Sequence, residues 1–381
     1  MPFSLLGLPE SLLKALSFHQ FDKPTPIQEQ AIPAVLKGKD ILGIARTGSG
    51  KTASFVLPIL ANPQTSSRLK NRHVNVLVLV PTRELAAQVK DVFQQFGSRL
   101  PKRVKTLAVF GGVSINPQMI ALQDVNVLVA TPGRLLDLVD SKAVHLSEIQ
   151  TLVLDEADKM LNLGFKEEMN RIFELLPKKR QNLLFSATLN EDVESIHQFL
   201  LNDPLVIKIE EDQKDDTAFI EQTAYWVSEE KKGPLLRYLI KQNKMKQVLV
   251  FTSSAKKADA VANKLKKNGL DARAIHSNKS MHQRTVALNM FKIGHLPVLV
   301  TTDLLSRGID VIHLPHVINY ELPRSPKDYV HRIGRTGRSE STGEAISLVS
   351  PEEKHHFKVI QKKMGKAVTM IDSVTIDLHG F

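Results

Sequence analysis

The chain has 381 residues, 42% hydrophobic and 24% charged, with a formal net charge of +11. That length exceeds one compact core and suits two domains of an ordinary globular protein, with a charge balance that favours a polyanionic partner. The absence of cysteine excludes disulfides and thiolate metal sites, and no apolar run approaches the ~20 residues of a membrane span. The 13 histidines show no zinc-ligand spacing, and His355-His356 reads as a solvated helix face. Met1 to Gly7 lacks the basic start and apolar core of a signal peptide, so the expected location is cytoplasmic, with no membrane contact.

Short runs rich in Val, Leu and Ile alternate with longer stretches of helical period, the pattern of parallel sheets covered by helices on both faces. The first half predicts strands at 40–45, 74–81, 105–110, 125–130, 151–155 and 182–186. Lys208 to Ala218 then carries five acids against two lysines and offers little to bury, so it reads as an exposed linker. The pattern restarts with strands at 247–252, 272–276, 297–302, 316–320 and 344–349. The expected organisation is a first α/β domain at 1–207, a linker at 208–218, a second α/β domain at 219–365 and a short tail at 366–381. Between 219 and 365 stand 25 basic and 13 acidic residues, so the basic excess sits in the second domain. A solvated surface and a polyanion site account for that excess about equally well.

Just after the first strand, Ala45-Arg46-Thr47-Gly48-Ser49-Gly50-Lys51-Thr52 forms a P-loop-like turn into a helix. Backbone N–H groups of such a turn converge on phosphate oxygens, Lys51 meets the β/γ-phosphates, and the Thr52 hydroxyl is placed to ligate magnesium. Ala45 stands where the usual pattern has its first glycine. About a hundred residues on, the strand Thr151 to Leu154 ends in Asp155-Glu156-Ala157-Asp158, an arrangement of acids that is costly unless a cation or phosphate chemistry needs it. Asp155 is the expected metal ligand, partly through water, and Glu156 the group that activates the attacking water. Lys159 reads as a flanking surface residue. Near the end of the second domain, His331-Arg332-Ile333-Gly334-Arg335-Thr336-Gly337-Arg338 spaces arginines three apart. If that segment is helical, Arg335 and Arg338 share a face directed at the γ-phosphate. For Arg332 a phosphate finger and a nucleic-acid contact remain equal readings.

With these motifs in this order, residues 1 to 365 closely resemble a DEAD-box RNA helicase, named for the tetrad at Asp155 to Asp158. The stretches Phe110 to Met119 and His276 to Ser280 look most like the bacterial RhlE type. The resemblance implies two RecA-like domains, each a mostly parallel sheet with helices on both faces, that close together on ATP and RNA. It implies an adenine-reading segment within 1–28, in which Phe21 stacks on the base and the Gln28 amide meets its N7 and amino edge. Phe3 matches an upstream aromatic of the family, though core packing explains it equally well, and Gln20 stands where the family usually has glycine. Ser186-Ala187-Thr188 resembles the motif that links hydrolysis to strand separation through hydroxyl bonds to the Asp155 to Asp158 loop, and Asp158 is the expected contact that ties hydrolysis to domain movement. Gly308 and Asp310 resemble nucleotide contacts.

The RNA-contacting motifs of the family are matched by Pro81, Thr82 and Arg83, by Gly111 and Gly112, by Thr131, Pro132, Gly133 and Arg134, and in the second domain by Thr252, Arg284, Thr302 and Arg307. Those groups bind phosphates and cannot read base edges, so the implied RNA binding is independent of sequence and falls with salt. Met281 replaces a glutamine of the family pattern and cannot make the amide's hydrogen bonds, which either weakens that contact or shifts it to His282 or Gln283. The activity implied is RNA-stimulated hydrolysis of ATP with magnesium, coupled to local separation of short duplexes by a monomer. Ribosomal precursors and RNA-decay assemblies are the expected settings. A DNA motor of the same broad fold and an ATP-gated RNA clamp are the alternatives.

Overall fold

The structure is a computed structural model that describes residues 1–45, 48–62, 65, 71–209, 220–303, 314–337 and 343–381. The chain divides into two units, Met1–Glu210 and Glu211–Phe381. In the first unit the order is α1 (Glu10–Phe18), α2 (Pro26–Leu36), β1 (Ile41–Ile44), α3 (Lys51–Ala61), β2 (Val76–Leu79), α4 (Arg83–Gly97), β3 (Thr106–Val109), α5 (Asn116–Ala121) and β4 (Val127–Ala130). There follow α6 (Pro132–Asp140), β5 (Thr151–Leu154), α7 (Ala157–Asn162), α8 (Lys166–Glu174), β6 (Gln181–Ser186), α9 (Glu191–Leu200) and β7 (Leu205–Lys208). All seven strands pair in parallel, in the order β3-β4-β2-β5-β6-β1-β7.

The side-chain period of two explains why these strands are almost wholly apolar. Val76, Val78, Val127 and Val129 enter the core beneath α1 to α4, while Leu77, Leu79, Leu128 and Ala130 enter the opposite core beneath α6 to α9. A parallel sheet covered on both faces leaves only its strand ends accessible, so ligand chemistry belongs at the carboxyl edge. The sheet order divides that edge. The adjacent strands β5, β6 and β1 lead into the tetrad, Ser186 and the P-loop, while β3, β4 and β2 lead into the candidate RNA loops.

The second unit contains β8 (Ile220–Trp226), α10 (Lys232–Gln242), β9 (Val248–Thr252), α11 (Ala255–Lys267), β10 (Ala272–Ile275), α12 (Met281–Lys292) and β11 (Val298–Thr302). After these come β12 (His316–Asn319), the helix Pro326–Ile333, β13 (Gly343–Val349), the helix Lys354–Met364 and β14 (Thr369–Asp372). Its seven strands are again parallel, in the order β10-β11-β9-β12-β13-β8-β14.

Three strands escaped the sequence reading. β7 and β14 are short sheet-edge strands, and β8 is half polar, so none shows a long apolar run. The stretch read as a tail at 366–381 is therefore part of the second sheet: β14 pairs with β8, Ile376 and Leu378 pack against the core, and the Phe381 ring lies 5.3 Å from that of Tyr238. Lys208, given to the linker, closes β7 opposite Ile44. His356, read as solvated, is half-buried and its Nε2 lies 2.7 Å from the carbonyl oxygen of Pro323.

Candidate active site

The P-loop leaves β1 and re-enters a helix at Lys51. Gly48 and Gly50 take φ of +88° and +91°, the left-handed region in which a Cβ is costly. Lys51 is the first residue of α3 and is buried; its Nζ donates to the Ala45 carbonyl at 2.5 Å. Burial lowers the pKa of this ammonium, opposed first by the charge of Asp155 and then by Glu156 and Asp158. Thr52 follows on the same first turn, and the buried Ser49 Oγ has no hydrogen-bond partner among the described residues. Thr47 lies outside them.

The tetrad sits at the end of β5, where Asp155, Glu156 and Asp158 are all buried. Glu156 has φ +56°, an uncommon conformation for a residue with a side chain and one that is held where function needs it. Lys159, read as a surface residue, is instead mostly buried and donates to Glu156 Oε1 at 2.6 Å. A one-turn separation on α7 brings the two together. Thr188 Oγ1 donates to Asp158 Oδ2 at 3.0 Å, so the end of β6 is tied to the tetrad. Ser186 takes no part in that link: its Oγ donates to the Thr188 carbonyl at 2.7 Å.

Burial, and after it the Glu156 carboxylate, push Asp155 up from 3.8 to about 6. The sign of the stability effect follows from proton binding. Below pH 4 both folded and unfolded states hold the proton, and above about 6 neither does, so the full cost of the buried charge, roughly 3 kcal/mol, is present only at the higher pH. Asp155→Asn, melted with a metal chelator, should therefore be more stable than the parent at pH 8, with the difference closing as pH falls from 6 toward 4. A difference that ignores pH would mean that the Asp155 charge is not its source.

Gln28 is buried and spans two elements. Its Oε1 accepts from the Thr25 N–H at 3.0 Å, and its Nε2 donates to the Gly50 carbonyl at 3.1 Å. The amide expected to read adenine is thus also the brace between the adenine segment and the P-loop, with one further donor and acceptor position remaining. Phe21 keeps 37% of its surface exposed and meets Phe96 in a T-shaped contact at 5.3 Å. Gln20 adopts φ +60°, the conformation that glycine favours. Phe3 is buried in the core.

Along the other half of the same edge, Thr82 caps α4 and accepts from the Leu85 N–H at 3.2 Å, and Thr131 and Pro132 open α6. Gly112 has φ +73°, and a Cβ there would overlap the Arg83 guanidinium, so Arg83 lies directly against the glycine pair. Arg134, expected to meet RNA, is buried: its Nη2 donates to the Val113 carbonyl at 2.9 Å and its Nε to Asp137 at 3.2 Å. It positions the glycine loop.

Gln118 does the same from the other side, a role the sequence reading missed because its partners lie on an irregular loop. Its Oε1 accepts from Phe110 N–H at 2.9 Å, and its Nε2 donates to the carbonyls of Phe110 at 3.2 Å and Ser114 at 3.3 Å. Gln118→Leu should raise the RNA concentration that half-saturates ATPase stimulation about five- to thirty-fold, the equivalent of 1–2 kcal/mol of lost loop order, with KM for ATP unchanged. Equal effects on both constants would contradict a loop-specific role.

In the second unit Thr252 and Thr302 end adjacent strands in register. Thr252 is fully buried, with its hydroxyl 3.3 Å from the carbonyls of Ser254 and Thr301, so it supports the strand ends. Arg284 is buried on α12, and Gln283 is committed to the helix cap, its Oε1 accepting from Ser280 N–H at 3.2 Å.

Arg332 is neither a finger nor a surface contact. Its guanidinium grips Asp303 at 2.5 and 2.7 Å, donates to Asn319 and to the Glu321 carbonyl, and lies 4.9 Å over the Phe251 ring. The helix ends at Ile333 with Gly334 as its cap, so Arg335 lies in the following turn and not on a shared helical face. Arg338, Arg307, Gly308 and Asp310 lie outside the described residues. Among those described, no group of three or more His, Asp or Glu side chains forms a metal cluster.

Residues 25–196 match the DEAD/DEAH box helicase family and residues 230–340 the helicase conserved C-terminal domain. The chain is 39% identical over 377 residues to the DEAD-box ATP-dependent RNA helicase RhpA of Helicobacter pylori strain B128, which covers 98% of this chain and 75% of that one. It is 38% identical over the same length to the ATP-dependent RNA helicase CshA of Listeria monocytogenes, covering 98% and 71%. Among solved structures, S. cerevisiae Dbp5 bound to RNA and ADP BeF3 superposes with a TM-score of 0.83 at 31% identity, covering 98% of this chain and 96% of that one. Likeness of this extent, in sequence and in fold, shows that the chain belongs to the DEAD-box family of ATP-dependent RNA helicases.

Proposed function

We propose that this protein hydrolyses ATP in response to RNA and uses the cycle to separate short duplexes or remodel RNA–protein complexes. The observation that carries this reading is one sheet edge that holds both halves of the chemistry: the Lys51–Asp155–Glu156–Asp158 cluster at β1 and β5, and the braced Gly111-Gly112 loop beyond β3. RhpA and CshA carry the name of the same activity, and Dbp5 was solved with RNA and a nucleotide complex. The Phe110 to Met119 stretch favours the RhlE type.

Lys51 and the P-loop amides hold the phosphates, and Glu156 accepts the proton of the attacking water. Asp155 Oδ1 and Glu156 Oε2 are buried without a hydrogen-bond partner among the described residues, a donor set that fits a hydrated divalent cation. Thr52 and Asp155 would hold magnesium, which supplies charge neutralisation at the phosphate oxygens. The Thr188–Asp158 bond transmits changes at the tetrad to β6. RNA is held through phosphates by the ends of α4 and α6 and the glycine loop, so no sequence is preferred.

The test is steady-state ATPase activity of the whole chain with RNA and DNA oligomers of one sequence, alongside strand release from short duplexes. RNA should stimulate strongly and DNA weakly, and only short duplexes should open. Equal stimulation by DNA, or processive opening of kilobase duplexes, overturns the reading.

A further inference from the structure

The basic excess of the second half is not spread evenly. Helix α10 precedes β9, α11 precedes β10 and α12 precedes β11, and these three strands are neighbours in the order β10-β11-β9, their first residues in one register row of Ala272, Val298 and Val248. Three helix-to-strand connections therefore meet at the amino edge of the sheet, in a row about 10 Å wide. Gln247 fastens two of them together, its Nε2 donating to the carbonyls of Phe291 at 3.0 Å and Lys292 at 3.3 Å.

Each connection is basic. The first holds Lys241, Lys244 and Lys246, the second Lys264, Lys266 and Lys267, and the third Lys292, all exposed. Asp271 is the one acid in these connections. None of the six lysines of the first two connections forms an ion pair among the described residues, whereas Lys232, Lys257 and Lys279 of the same unit are paired.

A lysine in the last turn of a helix is ordinarily explained by the macrodipole, but Lys244 and Lys246 lie beyond the end of α10. One cation per helix would also suffice for that purpose. Against the six lysines of the first two connections stand one aspartate and two helix termini of roughly −0.5 charge each, which leaves a local excess of about +4. The polyanion nearest to hand is RNA itself, because Thr302, matched to an RNA contact of the family, stands at the opposite end of β11, only about 13 Å away along the strand.

We propose that this amino-edge pole is a second, sequence-independent RNA site, which binds the phosphate backbone of strand flanking the segment held at the carboxyl edge. The inference rests on the RNA-binding function proposed above. It makes grip on long RNA partly independent of ATP, since no residue of the pole belongs to the nucleotide site. It also needs no aromatic platform, and the three connections contain none beyond the buried Phe291.

The test compares the parent with a Lys244→Glu/Lys266→Glu/Lys267→Glu variant and its triple Gln counterpart, using oligouridylates of about 8 and about 40 nucleotides. By fluorescence anisotropy without nucleotide, the Glu variant should bind the long strand roughly tenfold more weakly, with a plot of log K against log salt shallower by about 2. The Gln variant should fall between. ATPase stimulation by saturating short strand should stay at the parental level, with the melting temperature recorded alongside. Unchanged affinity and salt slope for the long strand overturn the proposal, and so does an equal loss for both lengths. Failure of the parent to be stimulated by either strand counts against the proposed function, whereas the anisotropy arm reports on the pole alone.

Discussion

Glu156→Gln should lower the kcat of RNA-stimulated ATP hydrolysis by about 10²- to 10⁴-fold while ATP and RNA still bind. The amide has the size of the carboxylate but cannot take a proton from water. Its oxygen can still accept from Lys159, which donates to Glu156 at 2.6 Å, so the start of α7 keeps its local bond. The replacement also removes one of the charges that raise Asp155, and a metal-binding carboxylate remains. Single-turnover hydrolysis together with fluorescent-nucleotide binding decides the matter: turnover within a few-fold of the parent removes Glu156 from its role.

Gly50→Ala should act on both ends of the nucleotide at once. The residue has φ +91°, where a Cβ costs roughly 1–2 kcal/mol. That Cβ would also overlap the Gln28 amide nitrogen and come within 2.7 Å of Thr25 Oγ1. Relief requires the P-loop to shift away from the adenine segment, breaking the Gln28–Gly50 hydrogen bond. KM for ATP should rise by at least about tenfold, because 1.4 kcal/mol or more of preorganisation is lost. The selectivity for ATP over GTP should fall with it, while RNA binding without nucleotide stays close to the parent. A variant with parental KM would show that the Gln28–Gly50 brace is not needed for nucleotide binding.

The parts of the site legible in the sequence are those in which a motif sits at the tip of an apolar strand. Parallel strands buried on both faces must be apolar and must end where the chain turns into a helix, so Lys51, Asp155 and Thr82 could be assigned to one sheet edge from local pattern alone. What could not be read is how far each polar side chain is already committed. Arg134 carries the same charge as Arg83, yet it is turned inward to the Val113 carbonyl, and nothing in the run Thr131 to Arg134 distinguishes the two. Lys159 looked like an ordinary exposed lysine until α7 placed it one turn from Glu156.

The sequence by itself determined the chemistry: phosphate cradle and carboxylate pair, each carried by residues within a few positions of one another, and a basic second half and alternating α/β order that show in composition and pattern. Only the tertiary structure decided which groups act on ligands and which hold the frame. Arg332 finds Asp303 across 29 residues, Gln28 finds Gly50 across 22, and Thr188 finds Asp158 across 30. It also decided that three lysine-bearing connections, separate in sequence, share one edge of the second sheet. The reason is physical: strand order and long-range hydrogen bonds are fixed by the burial of whole sheet faces, a property of the assembled layers and of no single segment.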